Sequence, residues 1–99
     1  MQTLATILAE LRALKPDLEA RFGVCDISVF GSRARGEDQP DSDLDLLLDF
    51  LPGTRPTFFS LARLDAYLED RLGIKVDAIP RTSINPRLEP YIRSELIRA

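Results

Sequence analysis

Two pairs of residues in the first half of the chain have types and a spacing that suit phosphate and metal chemistry. The dipeptide Gly31-Ser32 is followed, after ten intervening residues, by Asp43 and Asp45. On a β-strand, residues i and i+2 point to the same face, roughly 6.6 Å apart along the backbone, so both carboxylates can reach one divalent ion. Magnesium suits this pair because it takes carboxylate oxygens, keeps water ligands and completes its shell with substrate phosphates.

A third aspartate, Asp77, is expected to join this pair. It lies on the polar phase of a short apolar segment, between Val76 and Ala78. If its strand neighbours the strand of Asp43 and Asp45, the three carboxylates form one cluster. Asp77 could then bind a metal and accept the proton of an attacking hydroxyl. The alternative interpretation is an ordinary exposed residue of a strand.

The Gly31-Ser32 turn supplies the anion-binding half of the predicted site. Glycine lets the backbone approach a ligand closely, and a helical turn starting at Ser32 would offer N–H groups and a hydroxyl to phosphate oxygens. Arg33 and Arg35 add positive charge, and they either contact phosphate or pair with the acidic loop that follows. Together these parts suit in-line attack of a hydroxyl on the α-phosphate of a nucleotide, with one or two metal ions bound.

Chance is a poor explanation of the full pattern, although each half is common alone. A glycine–serine pair after a strand is usually only a turn, and an Asp-x-Asp pair is often a solvated strand edge. With the complete spacing, the pattern should occur in about one random chain of this length per thousand. The combination therefore favours a functional site.

The elements that must position these residues follow from the hydrophobic periodicity of the sequence. The chain is predicted to begin with an amphipathic helix from Leu4, which Pro16 ends or kinks, and a short helix over residues 16–22, which Gly23 stops. A strand at Val24–Phe30, a polar loop over residues 35–42 and a strand over residues 43–50 follow. The second half is predicted to contain a helix over residues 57–72, a strand over residues 74–79, and a helical tail that starts at Asn85 and restarts at Pro90. This order predicts an α/β or α+β fold, with a small mixed sheet of about three strands flanked by helices.

Several other residues receive structural interpretations. The helix over residues 57–72 is expected to bury one apolar side, formed by Phe58, Leu61, Leu64, Leu68 and Leu72. Core or a partner face is expected for Phe58, Phe59 and Tyr67, and Cys25 is interpreted as a small core residue. Asp49 is interpreted as a surface or strand-end residue, and a solvated loop is expected to contain Glu37, Asp38 and Asp41.

The composition argues against several classes of function. The 99 residues include no histidine, which excludes a histidine general base, a Ser-His-Asp triad and any zinc site that needs imidazole. The net charge of −3 argues against a nucleic-acid partner, because duplex binders carry a basic face. No apolar run or signal-peptide pattern indicates a membrane, so we expect a cytoplasmic protein with one domain over residues 1–99.

The stretch from Phe30 to Phe50, FGSRARGEDQPDSDLDLLLDF, resembles the signature of the DNA polymerase β-like nucleotidyltransferase superfamily. From about Leu4 to Arg98, the chain is similar to the minimal nucleotidyltransferase (MNT) group in length and order of elements. The Gly-Ser and Asp-x-Asp spacing is specific to the superfamily, and the short length indicates the minimal group. The resemblance implies the polymerase β-like nucleotidyltransferase fold.

The resemblance also implies roles for the site residues. Family members bind ATP or another nucleoside triphosphate together with magnesium. Gly31 and Ser32 match the phosphate-contacting turn of the family. Asp43 and Asp45 match its metal-binding pair, and Asp77 matches its third carboxylate. Because all three acids are present, the chain does not resemble a degraded, inactive member.

A partner and a reaction follow from the same resemblance. Many minimal members act as antitoxins of HEPN proteins, and some transfer AMP from ATP to a tyrosine of the HEPN toxin, which silences its RNase activity. We therefore expect a Mg-dependent nucleotidyltransferase of this kind. One alternative is a non-catalytic antitoxin that neutralises its partner by contact, since so small a chain leaves apolar faces for a partner or a second copy. The other is nucleotidyl transfer to a small molecule or an RNA end.

Overall fold

Helices and strands alternate in the computed structural model, which describes residues 3–37, 39 and 41–99. In chain order the elements are α1 (Leu4–Phe22), β1 (Val24–Phe30), α2 (Ser32–Arg35), β2 (Leu44–Phe50), α3 (Phe58–Leu72), β3 (Val76–Pro80), a 3-10 turn (Arg81–Ser83), α4 (Glu89–Glu95) and β4 (Ile97–Arg98). Asp38 of the predicted acidic loop lies outside the described residues. Among the described residues, no helix has both the length and the apolar character needed to cross a membrane.

One mixed sheet organises the molecule, with the strand order β3-β2-β1-β4. Strand β1 is antiparallel to both of its neighbours, β2 and β4, whereas β2 and β3 run parallel. The parallel pair requires a crossover connection, and α3 supplies it. The predicted mixed sheet flanked by helices is confirmed, but the strand count of three is wrong. Strand β4 has only two residues, which is too short for an alternating pattern to be recognised in the sequence.

Helix α1 continues through Pro16, where the sequence predicts a break and a second helix. An interior proline removes one helical hydrogen bond and costs about 3 kcal/mol. The same hydrophobic core contains residues on both sides of Pro16, namely Ile7, Leu11 and Leu18. Because burying the second half of the helix outweighs the proline penalty, the chain stays helical until Gly23, the predicted stop, whose φ is 73°.

The core lies between the sheet and the two long helices. The side chains Leu44, Leu46 and Leu48 of β2 are fully buried, as the alternation of that strand predicts. Helix α3 covers this face with Leu64 and Leu68. The leucine stripe of β2 therefore fixes which side of the strand is packed, and it leaves Asp45 on the other side.

Phe58 does not belong to the buried side of α3, contrary to the sequence prediction. Its side chain is 80% exposed, whereas Leu64, Leu68 and Leu72 are buried. At 100° per residue, Phe58 lies about 80° around the helix axis from Leu68, so it is off the centre of the apolar stripe. The following residue, Phe59, is also exposed.

Two further predictions are corrected by the backbone. Cys25 is exposed rather than part of the core, because the pairing of β1 with β2 shifts register between Val24 and Asp26. The helical tail begins at Glu89, because Asn85 instead accepts a hydrogen bond from the Arg87 N–H in a local turn.

Candidate active site

The parallel pairing of β2 with β3 brings two of the predicted carboxylates together. Asp45 and Asp77 are direct partners in the register of these strands. Residues at the same level of neighbouring strands share a face of the sheet, so both side chains project on the side away from the leucine stripe. Asp43 precedes β2 by one residue and is two positions from Asp45. The expectation that the strand of Asp77 neighbours that of Asp45 is confirmed.

Asp45 is subject to the negative charges of both other carboxylates. Partial burial raises the pKa of Asp45 above its ordinary value, and the negative charges of Asp77 and Asp43 raise it further. The guanidinium of Arg35 acts in the opposite direction. A site in which neighbouring negative charges disfavour ionisation is stabilised when a cation binds between them.

Oxygen ligands of this kind suit Mg²⁺. Over residues 3–37, 39 and 41–99, no three carboxylate or thiol side chains are already arranged around a single point as a metal site. Mg²⁺ does not need such a cage, because it binds through one or two carboxylates and completes its shell with waters and substrate phosphates. Asp43, Asp45 and Asp77 are therefore the side chains that could hold the ion.

Gly31 joins β1 to the single turn of α2, as the sequence predicts. It is buried, and its φ of 81° with ψ of −158° lies in a region that only glycine adopts readily. A Cβ atom built on Gly31 would overlap the Asp45 carboxylate oxygen Oδ2. The register of the two strands explains this contact, because Phe30 is paired with Asp45. The turn that begins at Ser32 therefore lies directly beside the Asp45 carboxylate.

Arg33 holds the loop that leads to Asp43. Its side chain is only 6% exposed, and its Nε and Nη2 atoms donate to the Ser42 carbonyl oxygen at 3.2 and 2.8 Å. This carbonyl belongs to the residue immediately before Asp43. The structure thus gives Arg33 a role in positioning the segment that carries Asp43 and Asp45. Its direct contact with phosphate stays a prediction.

Arg35 forms ion pairs with two acids. Its Nη1 atom donates to Glu95 at 2.9 Å and its Nε atom donates to Glu37 at 3.1 Å. These bonds, the one to Glu95 first, raise the pKa of the guanidinium above its ordinary value. Glu37 belongs to the acidic loop, so the predicted pairing with that loop is present. Glu95 was not identified from the sequence, since its proximity depends on the two-residue strand β4.

Two acidic residues of α3 accept hydrogen bonds from β3, and they were not identified from the sequence. Glu69 accepts a hydrogen bond from the Val76 N–H at 2.9 Å. Asp65 accepts one from the Ala78 N–H, while its Oδ1 atom is buried without a hydrogen-bond partner. Burial, followed by the charges of Glu69 and Asp77, raises the pKa of Asp65 to about 6. Acids spaced four residues apart on an amphipathic helix ordinarily indicate a solvated face, so no sequence signal distinguished them.

Asp49 is outside this site, in agreement with its interpretation as a strand-end residue. It shares the strand of Asp45 but forms two hydrogen bonds with Arg81, at 2.6 and 3.1 Å. Its carboxylate is therefore engaged at the opposite end of β2. This makes Asp49 a natural control for substitutions of Asp43 and Asp45.

Comparisons with known proteins agree with this geometry. Residues 11–99 match the family model of the nucleotidyltransferase domain. The chain is 39% identical over 97 residues to Protein adenylyltransferase MntA of Thermococcus cleftensis, an alignment that covers 98% of this chain and 96% of that protein.

Solved structures share the fold. A candidate minimal nucleotidyltransferase superposes with a TM-score of 0.77 at 42% identity, covering 97% of this chain and 95% of that one. A complex of a tri-AMPylated Shewanella oneidensis HEPN toxin with an MNT antitoxin gives a TM-score of 0.64 at 18% identity, covering 92% and 68%. The resemblance seen in the sequence is confirmed: the chain belongs to the nucleotidyltransferase domain family, and it is a nucleotidyltransferase.

Proposed function

We propose that this nucleotidyltransferase transfers AMP from ATP, with Mg²⁺, to a tyrosine hydroxyl of a HEPN toxin and thereby acts as its antitoxin. The observation that carries the proposal is the in-register pairing of Asp45 with Asp77 beside the Gly31-Ser32 turn. That arrangement places carboxylates that can bind a metal ion and accept a proton next to a turn that can bind phosphate. A cytoplasmic location, where ATP is available, belongs to the same proposal.

Each residue has a chemical role in this reaction. Asp43 and Asp45, with Asp77, would hold Mg²⁺, which when bound neutralises charge on the phosphates. The Ser32 hydroxyl and nearby N–H groups bind phosphate oxygens. An acceptor oxygen attacks the α-phosphorus, its proton passes to a carboxylate oxygen of Asp77, and the bond to pyrophosphate breaks. The products are an AMP ester of the acceptor and free pyrophosphate.

An open cleft lies beside one of the three carboxylates, Asp43. The cleft has a volume of about 360 Å³ and is lined on its other side by Gly73, Ile74 and Lys75. Lys75 adds a cation to the lining of this cleft. A ligand bound there would lie next to the first carboxylate of the metal-binding pair.

Two comparisons support the choice of nucleotide and partner. The relative from Thermococcus cleftensis is named a protein adenylyltransferase and aligns over nearly the full length of both chains. The MNT antitoxin that shares this fold was solved with an AMPylated HEPN toxin. Both features favour AMP as the transferred group and a HEPN protein as the acceptor.

The test uses ATP labelled in its α-phosphate. The chain is incubated with Mg²⁺, labelled ATP and a HEPN toxin, and label on the toxin is measured for the wild type and for Asp43→Asn combined with Asp45→Asn. We expect the double variant to lose transfer while still binding the toxin. Asp49→Asn, which removes a similar charge from the same strand, should transfer normally. Label transfer that survives in the double variant would show that these acids do not bind the metal.

An exposed aromatic pair supports a second candidate function, a non-catalytic antitoxin. The rings of Phe58 and Phe59 stack edge to face at 5.8 Å and are 80% and 78% exposed. Such a pair is suited to contact with a partner. If the Asp43 and Asp45 double variant still protects cells from the toxin, contact alone is sufficient. Loss of protection with an intact complex supports catalysis.

A further inference from the structure

Glu95 contacts both ends of the turn that precedes the carboxylates, although it lies 64 residues beyond Gly31 and 60 beyond Arg35 in the chain. We call residues 31–35 the phosphate turn, since this segment contains Gly31 and α2. The Oε1 atom of Glu95 accepts a hydrogen bond from the Gly31 N–H at 3.2 Å, and Oε2 accepts one from Arg35 Nη1 at 2.9 Å. The Glu95 side chain is 22% exposed, so water competes only partly for these bonds.

The register of β4 explains why Glu95 reaches Gly31. In an antiparallel ladder, hydrogen-bonded pairs recur at every second residue. The Ala99 N–H donates to the Ile27 carbonyl at 2.9 Å, and Val29 pairs with Ile97. Two residues further, the same register places Gly31 opposite Glu95. The Gly31 N–H therefore points in the plane of the sheet towards α4, away from β2.

Helix α4 ends at Glu95, so the backbone there is not extended and cannot continue the ladder. The carboxylate of Glu95 instead occupies the place that a strand carbonyl would take. A charged acceptor makes a stronger bond than a carbonyl, and its second oxygen remains available for Arg35. This arrangement ties the start and the end of the phosphate turn to one side chain.

We propose that Glu95 is a positioning residue that holds the phosphate turn in place for the nucleotide. Gly31 is confined between Glu95 on one side and the Asp45 carboxylate on the other. Release of the Gly31 N–H would let the turn move relative to the carboxylates. The inference rests on the proposed function, because it deepens the role given there to the Gly31-Ser32 turn.

Binding of Mg²⁺ with AMP-PNP, measured by calorimetry, tests the consequence for the nucleotide. Glu95→Ala should weaken affinity by about tenfold, because it removes one hydrogen bond and one ion pair. Glu95→Gln keeps an acceptor for the Gly31 N–H and should lose only about threefold. In AMP transfer, we expect KM for ATP to rise while kcat changes by less than about threefold. Glu89→Gln, which breaks an ion pair with Arg93 on the same helix, is the matched control.

Amide hydrogen exchange of the nucleotide-free chain tests the contact independently of the reaction. The Gly31 amide should exchange at least about tenfold faster in Glu95→Ala than in the wild type and in Glu89→Gln. Unchanged exchange at Gly31 would overturn the proposal. This result does not depend on nucleotide binding, so failure of the wild type to bind AMP-PNP would count against the proposed function and not against the contact between Glu95 and Gly31. Tighter AMP-PNP binding by Glu95→Ala would also overturn it, since Glu95 would then compete with the nucleotide.

Discussion

Gly31 is the residue on which the geometry of the site depends most directly. We predict that Gly31→Ala abolishes AMP transfer, because the new Cβ would displace the Asp45 carboxylate and the backbone would be strained at a φ of 81°. The measurement is label transfer from ATP, combined with urea unfolding. Gly53→Ala is the control, since Gly53 has a φ of 87° and open space around its Cβ position. It should cost about 1 kcal/mol of stability and leave transfer intact. Parallel loss of activity in both variants would contradict the prediction.

Asp65 gives the stability of the chain a pH dependence with a defined sign. Its pKa is about 6 in the folded chain, against an ordinary value of 3.8, because burial and the charges of Glu69 and Asp77 disfavour ionisation. The folded chain holds this proton more tightly than the unfolded chain. Its contribution to stability is therefore complete below about pH 4 and is lost as the pH rises through about 6.

We predict that Asp65→Asn removes this dependence. Relative to the wild type, the free energy of unfolding of the variant should improve between about pH 4 and pH 7 by the order of 1 kcal/mol, less than the full pKa shift implies because water reaches part of the side chain. Urea unfolding at several pH values measures the difference. A difference that stays constant with pH would show that Asp65 titrates normally. Asp70→Asn, in which an exposed acid of the same helix is replaced, is the control.

At the scale of elements, the outer edge of β3 is held by α3. Strand β3 is at one end of the sheet, and the Leu44 N–H donates to the Lys75 carbonyl on its inner side. In a parallel ladder, alternate residues face the partner strand, so the N–H groups of Val76 and Ala78 point outward. Glu69 and Asp65 of α3 accept these two hydrogen bonds. The helix that connects β2 to β3 therefore also positions Asp77, which lies between the two bonded residues.

This arrangement predicts that Glu69→Ala loosens β3 and lowers AMP transfer through Asp77. The Val76 amide should exchange faster with solvent because it has lost its acceptor, and Glu69→Gln should restore most of its protection. We expect transfer to fall by about three- to tenfold in the alanine variant. Asp70→Asn again serves as the control, since Asp70 is exposed and its ion pair with the neighbouring Arg71 is long, at 4.0 Å. If the Val76 amide exchanges rapidly but AMP transfer stays normal, the hydrogen bond from Val76 to Glu69 does not affect catalysis and the prediction is wrong.

Elements with a complete local signal were predictable from the sequence. The prediction for β1 has the observed bounds, and the helix predicted over residues 57–72 matches α3 except that Thr57 is its N-cap rather than its first residue. The continuous α1 was not predictable, because the proline rule is local whereas the burial of Leu18 that overrides it is tertiary. Strand β4 has two residues and is defined only by its pairing with β1.

For the whole molecule, the sheet topology brings together acids that are distant in sequence. Gly31, Ser32, Asp43 and Asp45 could be identified from their spacing, and Asp77 from the polar phase of its strand. Glu95 could not, because its contact with Gly31 depends on the register between β1 and β4. Local patterns therefore identify the chemical groups of this site, while long-range pairing determines the side chains that position them.

The concentration of negative charge at this end of the sheet leads to a prediction for the folded chain as a whole. Burial, followed by the negative charges of Asp77, Asp43 and Glu95, raises the pKa of Asp45, so the folded state disfavours the ionised carboxylate in a way that the unfolded chain does not. A ligand that binds only the folded state stabilises it by mass action. We expect Mg²⁺ at about 10 mM to raise the Tm by roughly 5 °C near pH 7, and by less as the pH is lowered, because protonation of Asp45, whose pKa is raised, competes with the ion.

Thermal unfolding followed by circular dichroism measures this shift, with sodium chloride at matched ionic strength to account for screening. Asp45→Asn should remove most of the Mg²⁺ response, because it deletes the carboxylate that lies against Gly31 and that is affected by the charges of Asp77 and Asp43. Asp49→Asn should keep the response, because Asp49 is paired with Arg81 at the other end of β2. An equal Tm increase in both variants would mean that Mg²⁺ binds elsewhere on this acidic chain, and the metal-binding role of Asp45 would have to be abandoned.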